Sequence, residues 1–356
     1  MVDAFDVTKI LILATVSFVA AIAWTPVLTH LLYKYRLGKS IRSAVTAPMF
    51  AKLHEKKAGV PTMGGVLMWG TTLGVALLFA LLGVFFPESF LGRLNFLSRS
   101  QTWLPLAALV AAGVVGLADD FMNVFKIGSH GGGIHIRHRL VLYTIIAAIG
   151  AWWFTIKLGW DALHIPFYGD LIVGNWWYAA IFILVIVGTS FSVNQTDGLD
   201  GLAGGTLASA FGAYAVIAML QGRYDLAAFC AVIMGSLLAF LWFNIYPARF
   251  IMGDTGAMSL GVTLAIVAML TNSALLLPVI GIVFVVEAVT TAMQLFSKKL
   301  FGRKIFLIAP VHHHFEAKGW PEPKVVMRFW VISWIGAGLG IILALLDMAG
   351  SSVLLG

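Results

Sequence analysis

The sequence predicts an all-α polytopic membrane protein of about ten transmembrane helices, with both termini outside and a short periplasmic β-hairpin. Three observations predict this. The 356 residues are 60% hydrophobic and only 11% charged, with a mean hydropathy of +0.94, whereas an ordinary soluble domain carries about 25% charged residues. Apolar stretches of the roughly 20 residues needed to cross a bilayer recur along the chain. Lysine and arginine gather in alternate connections, which is the positive-inside pattern. No linker, low-complexity tract or clear repeat divides the pattern, so residues 1–356 read as a single domain.

Spans are expected at 8–33, 63–86, 103–118, 138–158, 176–193, 202–220, 225–245, 256–271, 275–297 and 326–346. The first is preceded by Asp3 and Asp6 and followed by Lys34 and Arg36, the reverse of a cleavable signal. Ala21-Ile22-Ala23 mimics a cleavage site but lies mid-span, so this is read as an uncleaved anchor with its N-terminus outside. The third span is short if it stops before Asp119. The ninth carries Glu287 and Gln294 on one helical face, which should line protein rather than lipid. On the outer side, 159–175 places turn residues around short β-like runs and reads as a hairpin.

Alternation then puts 34–62, 119–137, 194–201, 246–255 and 298–325 inside, and 18 of the 23 Lys and Arg residues fall in or beside these connections. The net charge of +7 is thereby traced to topology, and no nucleic-acid partner is expected. Cys230 is the only cysteine, so there is no intrachain disulfide, and redox chemistry is not expected. Lys298–Pro310 mixes basic and apolar residues and could lie in the membrane interface.

The motifs are one-sided. Asn194–Gly205 reads NQTDGLDGLAGG, with Asp197 and Asp200 one helical turn apart and able to face the same way. Asp119-Asp120 closes GLADDF, where adjacent carboxylates at a helix C-terminus repel each other and oppose the helix dipole unless a cation is near. Asp254 in IMGDTG suits a helix N-cap, a position that also favours phosphate. These five aspartates are expected to meet at one membrane face and hold a hard divalent cation over a phosphate. PTMGG follows the basic HEKKAG, whose Lys56 and Lys57 could bind phosphate or anchor to anionic lipid. Asn244 needs a polar partner at the end of its span. His312-His313-His314 cannot all turn to one ion in an extended chain, so hydrogen bonding to a diphosphate suits them better than metal ligation, with an ordinary interfacial loop as the plain alternative.

PTMGG, GLADDF, NQTDGLDGLAGG, WFNIYPARFIMGDTGAMSLG and the run from FVVEAVTTAMQ to APVHHHFEAKGWPEPKVVMRFW resemble the bacterial phospho-N-acetylmuramoyl-pentapeptide transferases, within the polyprenyl-phosphate N-acetylhexosamine-1-phosphate transferases. The resemblance covers most of the chain, and the triple histidine before KGWPEPK is its most specific part. It implies ten helices, a homodimer in the bacterial inner membrane, Mg2+, and a cytoplasmic active site. It also implies transfer of phospho-MurNAc-pentapeptide from UDP-MurNAc-pentapeptide to undecaprenyl phosphate, giving lipid I and UMP. By the same resemblance Asp119 and Asp120 are the catalytic acidic pair and, with Asp254, the metal ligands, with Asp119 as base and Asp254 as the chief ligand. Asn194, Asp197 and Asp200 match the uridine region, while Lys57, Thr62, Asn244, Gln294, Arg139, His312, His314 and the catalytic His313 match further active-site positions.

The sequence departs from the family at Asn123, where a lysine is usual, at Arg139, where another lysine is common, and at Val60. The aromatic usual before the metal aspartate is expected to be Phe250. Lys126, Arg137 and Arg139 are the candidates to supply the missing charge. The rival readings are a sister transferase using another UDP-N-acetylhexosamine such as UDP-GlcNAc, a cation-coupled transporter, and an inactive scaffold.

Overall fold

The computed structural model describes residues 3–38, 57, 59–128 and 132–354. Lys56, most of the first basic connection and residues 129–131 of the glycine-rich loop lie outside the described residues. Helices dominate. They are α1 (Ala4–Lys34), α2 (Val66–Phe85), α3 (Trp103–Val124), α4 (Ile136–Trp152), α5 (Asn175–Thr196), α6 (Leu202–Leu220), α7 (Tyr224–Asn244), α8 (Gly253–Leu270), α9 (Ile282–Phe301), α10 (Val311–Ala317) and α11 (Glu322–Leu354). Among the described residues nine helices are long and apolar enough to span, and a tenth span is the bent pair Ala274–Ile280 and Ile282–Phe301. The fold class expected from the sequence is therefore the one observed.

Local chemistry sets the helix ends. Asp3 caps α1 by accepting from the Phe5 N–H. Thr102, at the start of α3, accepts from Ser98 N and donates to Phe96 O, which closes the turn before the helix. One expectation fails here. The third span does not stop at 118, because α3 continues through Asp119 and Asp120 to Val124, and both carboxylates find partners inside the fold. The ninth span is bent, the chain turning by 83° at Gly281.

Helix α8 forms the centre. Its apolar stretch is entirely buried, packed between α3 and α5, whereas α1 is far less buried. The hydroxyls of α8 all find carbonyls, Ser259 donating to Thr255 O and Thr263 to Ser259 O within the helix and Thr255 to Gly113 O of α3, as a water-free interior demands. At the far end from the motifs, β1 (Ala162–Ile165) and β2 (Gly169–Ile172) form the expected hairpin, with Leu163 opposite Leu171. His164 fastens it, with Nδ1 2.7 Å from Asp170 and Nε2 2.6 Å from Asp347 of α11. The Phe167 N–H also donates to Asp347.

Candidate active site

The motif residues gather at the end of the bundle opposite the hairpin. PTMGG is the hinge of this end. The Gly64 and Gly65 N–H groups donate to Ile251 and Met252 carbonyls, and Ile251 N donates back to Pro61 O. This pins the segment to the loop that leads into Asp254. Gly65 lies so close to Gly256 of α8 that a Cβ there would collide with its backbone, so only glycine allows α2 and α8 to start side by side.

Three of the five aspartates come together. Asp119 and Asp120 are fully buried and Asp254 is 5% exposed. Arg139, from the start of α4, bridges two of them, with Nη2 2.6 Å from Asp119 Oδ2 and Nη1 donating to Asp254 Oδ1 at 2.9 Å. Its Nε donates to Ile134 O, so the planar fork is held on three sides. Asp254 Oδ1 also accepts from Asn194 Nδ2 at 2.6 Å. Asp120 accepts from Thr62 Oγ1 and from Thr255 N, in the first turn of α8. Asp254 is not the N-cap that the sequence suggested. Met252 holds that place and Asp254 sits two residues further in, where the helix dipole still favours its charge.

The other two aspartates stand apart from this group. Asp197 and Asp200 do not share a helical face, because α5 ends at Thr196 and both lie in the turn before α6. Asp200, 5% exposed, takes the Lys57 ammonium at 2.8 Å on Oδ1 and the Ala248 N–H on Oδ2. Lys57 also reaches Glu322 Oε1, 2.5 Å away. Burial opposes the Lys57 charge, but Glu322 and Asp200 outweigh it and raise its pKa above that of an ordinary lysine. Asp119, Asp120 and Asp254 thus gather around Arg139, while Asp200 is held by Lys57. The Asn244 side chain joins them, since it accepts from Gly201 N and donates to Phe250 O. Phe250 itself is fully buried against Phe240 and Phe243.

The histidines are on a helix, not in an extended loop. In α10, His312 Nδ1 lies 2.9 Å from Glu287 Oε2 and His313 Nδ1 lies 2.7 Å from Glu316 Oε2. Both rings border Gly198, in the turn between Asp197 and Asp200. His314 turns away and accepts from Leu307 N. Burial and the nearby Lys318 lower its pKa below the usual imidazole value. Gln294 also points elsewhere. It holds the 302–310 connection through Ile305, Phe306 and the Phe306 carbonyl. Of the three cations proposed to replace the missing lysine, Arg139 enters the carboxylate cluster, while Lys126 and Arg137 are exposed.

Glu316 and Glu322 escaped the sequence reading, although both stand in the EAKGWPEPK run. Their signal was a carboxylate within one helical turn of a histidine and another at the first position of a long apolar helix.

The sequence is similar to those of known proteins. The sequence profile described as glycosyl transferase family 4 matches residues 102–272, which include Asp119, Asp120, Asn194, Asp197, Asp200 and Asp254. A phospho-N-acetylmuramoyl-pentapeptide-transferase of Chloroflexus aggregans is 38% identical over 354 residues, covering 96% of this chain and 91% of that protein. Proteins of the same name from Geobacillus thermodenitrificans and Geobacillus kaustophilus are 38% and 39% identical, each covering 93% of this chain and 97% of the relative. Such identity over nearly the full length of both partners shows that the chain belongs to the phospho-N-acetylmuramoyl-pentapeptide-transferase family.

Proposed function

We propose that the protein transfers phospho-MurNAc-pentapeptide from UDP-MurNAc-pentapeptide to undecaprenyl phosphate, releasing UMP and forming lipid I, in a Mg2+-dependent reaction at the cytoplasmic face of the bacterial inner membrane. The observation that carries this reading is the cluster of buried carboxylates from α3 and α8 at one end of the bundle, in a chain related along its length to transferases of that name. The cytoplasmic placement rests on the sequence pattern, in which 18 of the 23 basic residues fall in or beside the connections expected inside.

The metal needs a fit test. Among the described residues no three His, Cys, Asp or Glu side chains are already grouped as a ligand set. The donor chemistry nevertheless fits a hard cation: Asp119, Asp120 and Asp254 are buried oxygen donors, and the one guanidinium that touches two of them balances the charge of only one. Asp119, Asp120 and Asp254 would hold the ion, and Arg139, which bridges Asp119 and Asp254, would be at hand for substrate phosphate. When bound, Mg2+ supplies neutralising charge to the diphosphate.

The residues then divide the work. An oxygen of the lipid phosphate attacks the sugar-bearing phosphorus of the nucleotide. The new phosphorus–oxygen bond makes the lipid diphosphate, the bond to the other phosphate breaks, and UMP leaves with that bridging oxygen. Asp119 removes the residual proton of the acceptor phosphate. Asn194 and Thr62 orient Asp254 and Asp120. Lys57 and Asp200 border the turn proposed to receive the uridine. Because both reactants are anionic, positioning and charge neutralisation carry most of such a transfer. A homodimer is part of the same proposal.

The test is to incubate purified protein with Mg2+, undecaprenyl phosphate and UDP-MurNAc-pentapeptide and to measure UMP and lipid I. Both products should appear, and should vanish with a chelator. Turnover on UDP-GlcNAc alone would select the sister-transferase reading, and vesicle uptake of a cation without UMP release would select transport.

A further inference from the structure

A groove between α1 and α7, at the motif end of the bundle, takes no part in the site above. It encloses about 530 Å3. Its floor is Thr25, Pro26 and Thr29 of α1 with Phe243 of α7. Both threonine hydroxyls are taken by their own helix, Thr25 donating to Ala21 O and Thr29 to Thr25 O, which leaves them little polarity to offer. Pro26 adds a ring with no N–H to give. The floor is therefore apolar. Val27, Leu31 and Trp242, next in sequence to lining residues, are exposed apolar side chains, as expected of helix faces that meet lipid.

The rim is basic. Lys34 ends α1, His30 stands one turn before it, and Arg249 comes from the connection between α7 and α8. Arg249 is fixed by its backbone: its N–H donates to Phe243 O, and its carbonyl accepts from Tyr33 Oη at 2.9 Å. Its guanidinium lies over the Phe243 ring, 5.9 Å from the centroid. Among the described residues neither Lys34 nor Arg249 has a carboxylate partner, and no carboxylate lines the groove. An adjoining hollow of about 370 Å3 shares Tyr33 and brings Arg36 to the same rim. Lys34 alone suits a helix C-terminus, but Arg249 is on no helix and holds its charge beside an apolar floor. The ligand that fits brings an anion and a hydrocarbon chain together, which a soluble phosphate does not. Basic pockets between spanning helices at the inner side suit lipid head groups in this way. Helix α1 packs chiefly on α7 and α2, whereas the carboxylate cluster is on α3 and α8, so a phosphate held here is not the reacting one.

We propose that this groove binds an anionic phospholipid of the bilayer, with its phosphate between Lys34 and Arg249 and an acyl chain laid along Thr25, Thr29 and Phe243. The place of Arg249 gives this a consequence for the motif end. It stands two residues before Ile251, whose N–H and carbonyl hold Pro61 and Gly64 of PTMGG beside the start of α8. A lipid on Arg249 thus steadies the loop that leads into Asp254. Lipid binding here does not depend on the transferase reading.

The test uses the full-length protein in detergent, with dioleoyl phosphatidylglycerol as the probe and dioleoyl phosphatidylcholine for comparison. In native mass spectrometry the wild type should retain phosphatidylglycerol in preference. Arg249→Gln and Lys34→Gln should each weaken that retention about fivefold, the scale of one basic residue at an anionic surface. Thr29→Phe, which fills the floor and keeps every charge, should weaken it as well. Lys298→Gln combined with Lys299→Gln removes two exposed cations near the same end and should change nothing. An equal loss in that control would reduce the effect to general surface charge and reject the site. Displacement by inorganic phosphate would make it a soluble-anion site, and displacement by a lower concentration of undecaprenyl phosphate would make it a dock for the acceptor; either rejects the proposal. A fall from dimer to monomer in Thr29→Phe, with lipid retention unchanged, would give the groove to a second copy. A photoactivatable phosphatidylglycerol on the wild type decides the place even if a variant fails to fold. Cross-links should map to residues 25–34 and 243–249, and labels confined to other segments would overturn the proposal.

Discussion

Histidine meets carboxylate at both ends of this molecule, and the two ends use the pair differently. At the hairpin end His164 has both ring nitrogens at carboxylates, Asp170 on one side and Asp347 on the other, and its side chain is 25% exposed. It works as a clamp between a two-stranded ribbon and the end of α11. At the motif end His312 and His313 each give one nitrogen to a glutamate and turn the other toward Gly198, out of contact with solvent. The lesson is that the second nitrogen decides. His164 gives both to carboxylates from two elements and fastens them, whereas His312 and His313 turn theirs to the backbone of the Gly198 turn.

The contrast can be broken by substitution, beginning with the largest effect. Asp254→Asn should reduce turnover by a factor of about a thousand or more, the scale of removing a central charge-stabilising group, while circular dichroism and the melting midpoint stay near wild type. Near-normal UMP release would remove Asp254 from the chemistry. Arg139→Gln should lower turnover by roughly a hundredfold and Arg139→Lys by less, because an ammonium cannot span Asp119 and Asp254 as the guanidinium fork does. Equal activity of the two variants would show that the fork geometry is irrelevant.

At the hairpin end, His164→Gln should leave turnover unchanged and act only locally. Burial opposes the His164 charge, but its bonds to Asp347 and Asp170 outweigh that and raise its pKa above the ordinary value. The clamp is therefore complete below pH about 6.5, the unfolded-state value, and weakens as pH rises through the raised folded-state value. Hydrogen exchange of the Leu163–Leu171 backbone should accelerate over that alkaline range in wild type and be pH-flat, after correction for intrinsic exchange, in the variant. The smallest effect is expected from Asn123→Lys, with activity within about twofold or somewhat higher, as befits one half-exposed charge. A total loss would give Asn123 a role of its own.

Much of this was legible from residue order. Span positions followed from hydropathy, because a bilayer punishes every unsatisfied backbone group and leaves helices as the economical solution. Asp119, Asp120 and Asp254 were identifiable because acids at apolar helix ends have few structural excuses. What sequence could not give was the partition of charges. Asp197–Asp200 looked like one helical face, but the chain leaves the helix at Thr196, and Lys57 claims Asp200 from 143 positions away. The bend at Gly281 was hidden because apolar residues run across it without a break, from Ala274 to Val286. Gln294 matched a site motif yet holds a loop, since a long polar side chain near a helix end can satisfy neighbouring backbone as readily as a ligand.

Gly261 stands two turns along α8 from Asp254, and a Cβ there would lie 2.8 Å from Ser190 Cα of α5. One turn further along α5 is Asn194, whose amide touches Asp254. The gap between these two rods at mid-membrane therefore calibrates a polar contact at their ends. An added methyl deep in the apolar interior would register as a loosened grip on the key carboxylate, so the tuning of this site reaches well below the surface where its reactants meet.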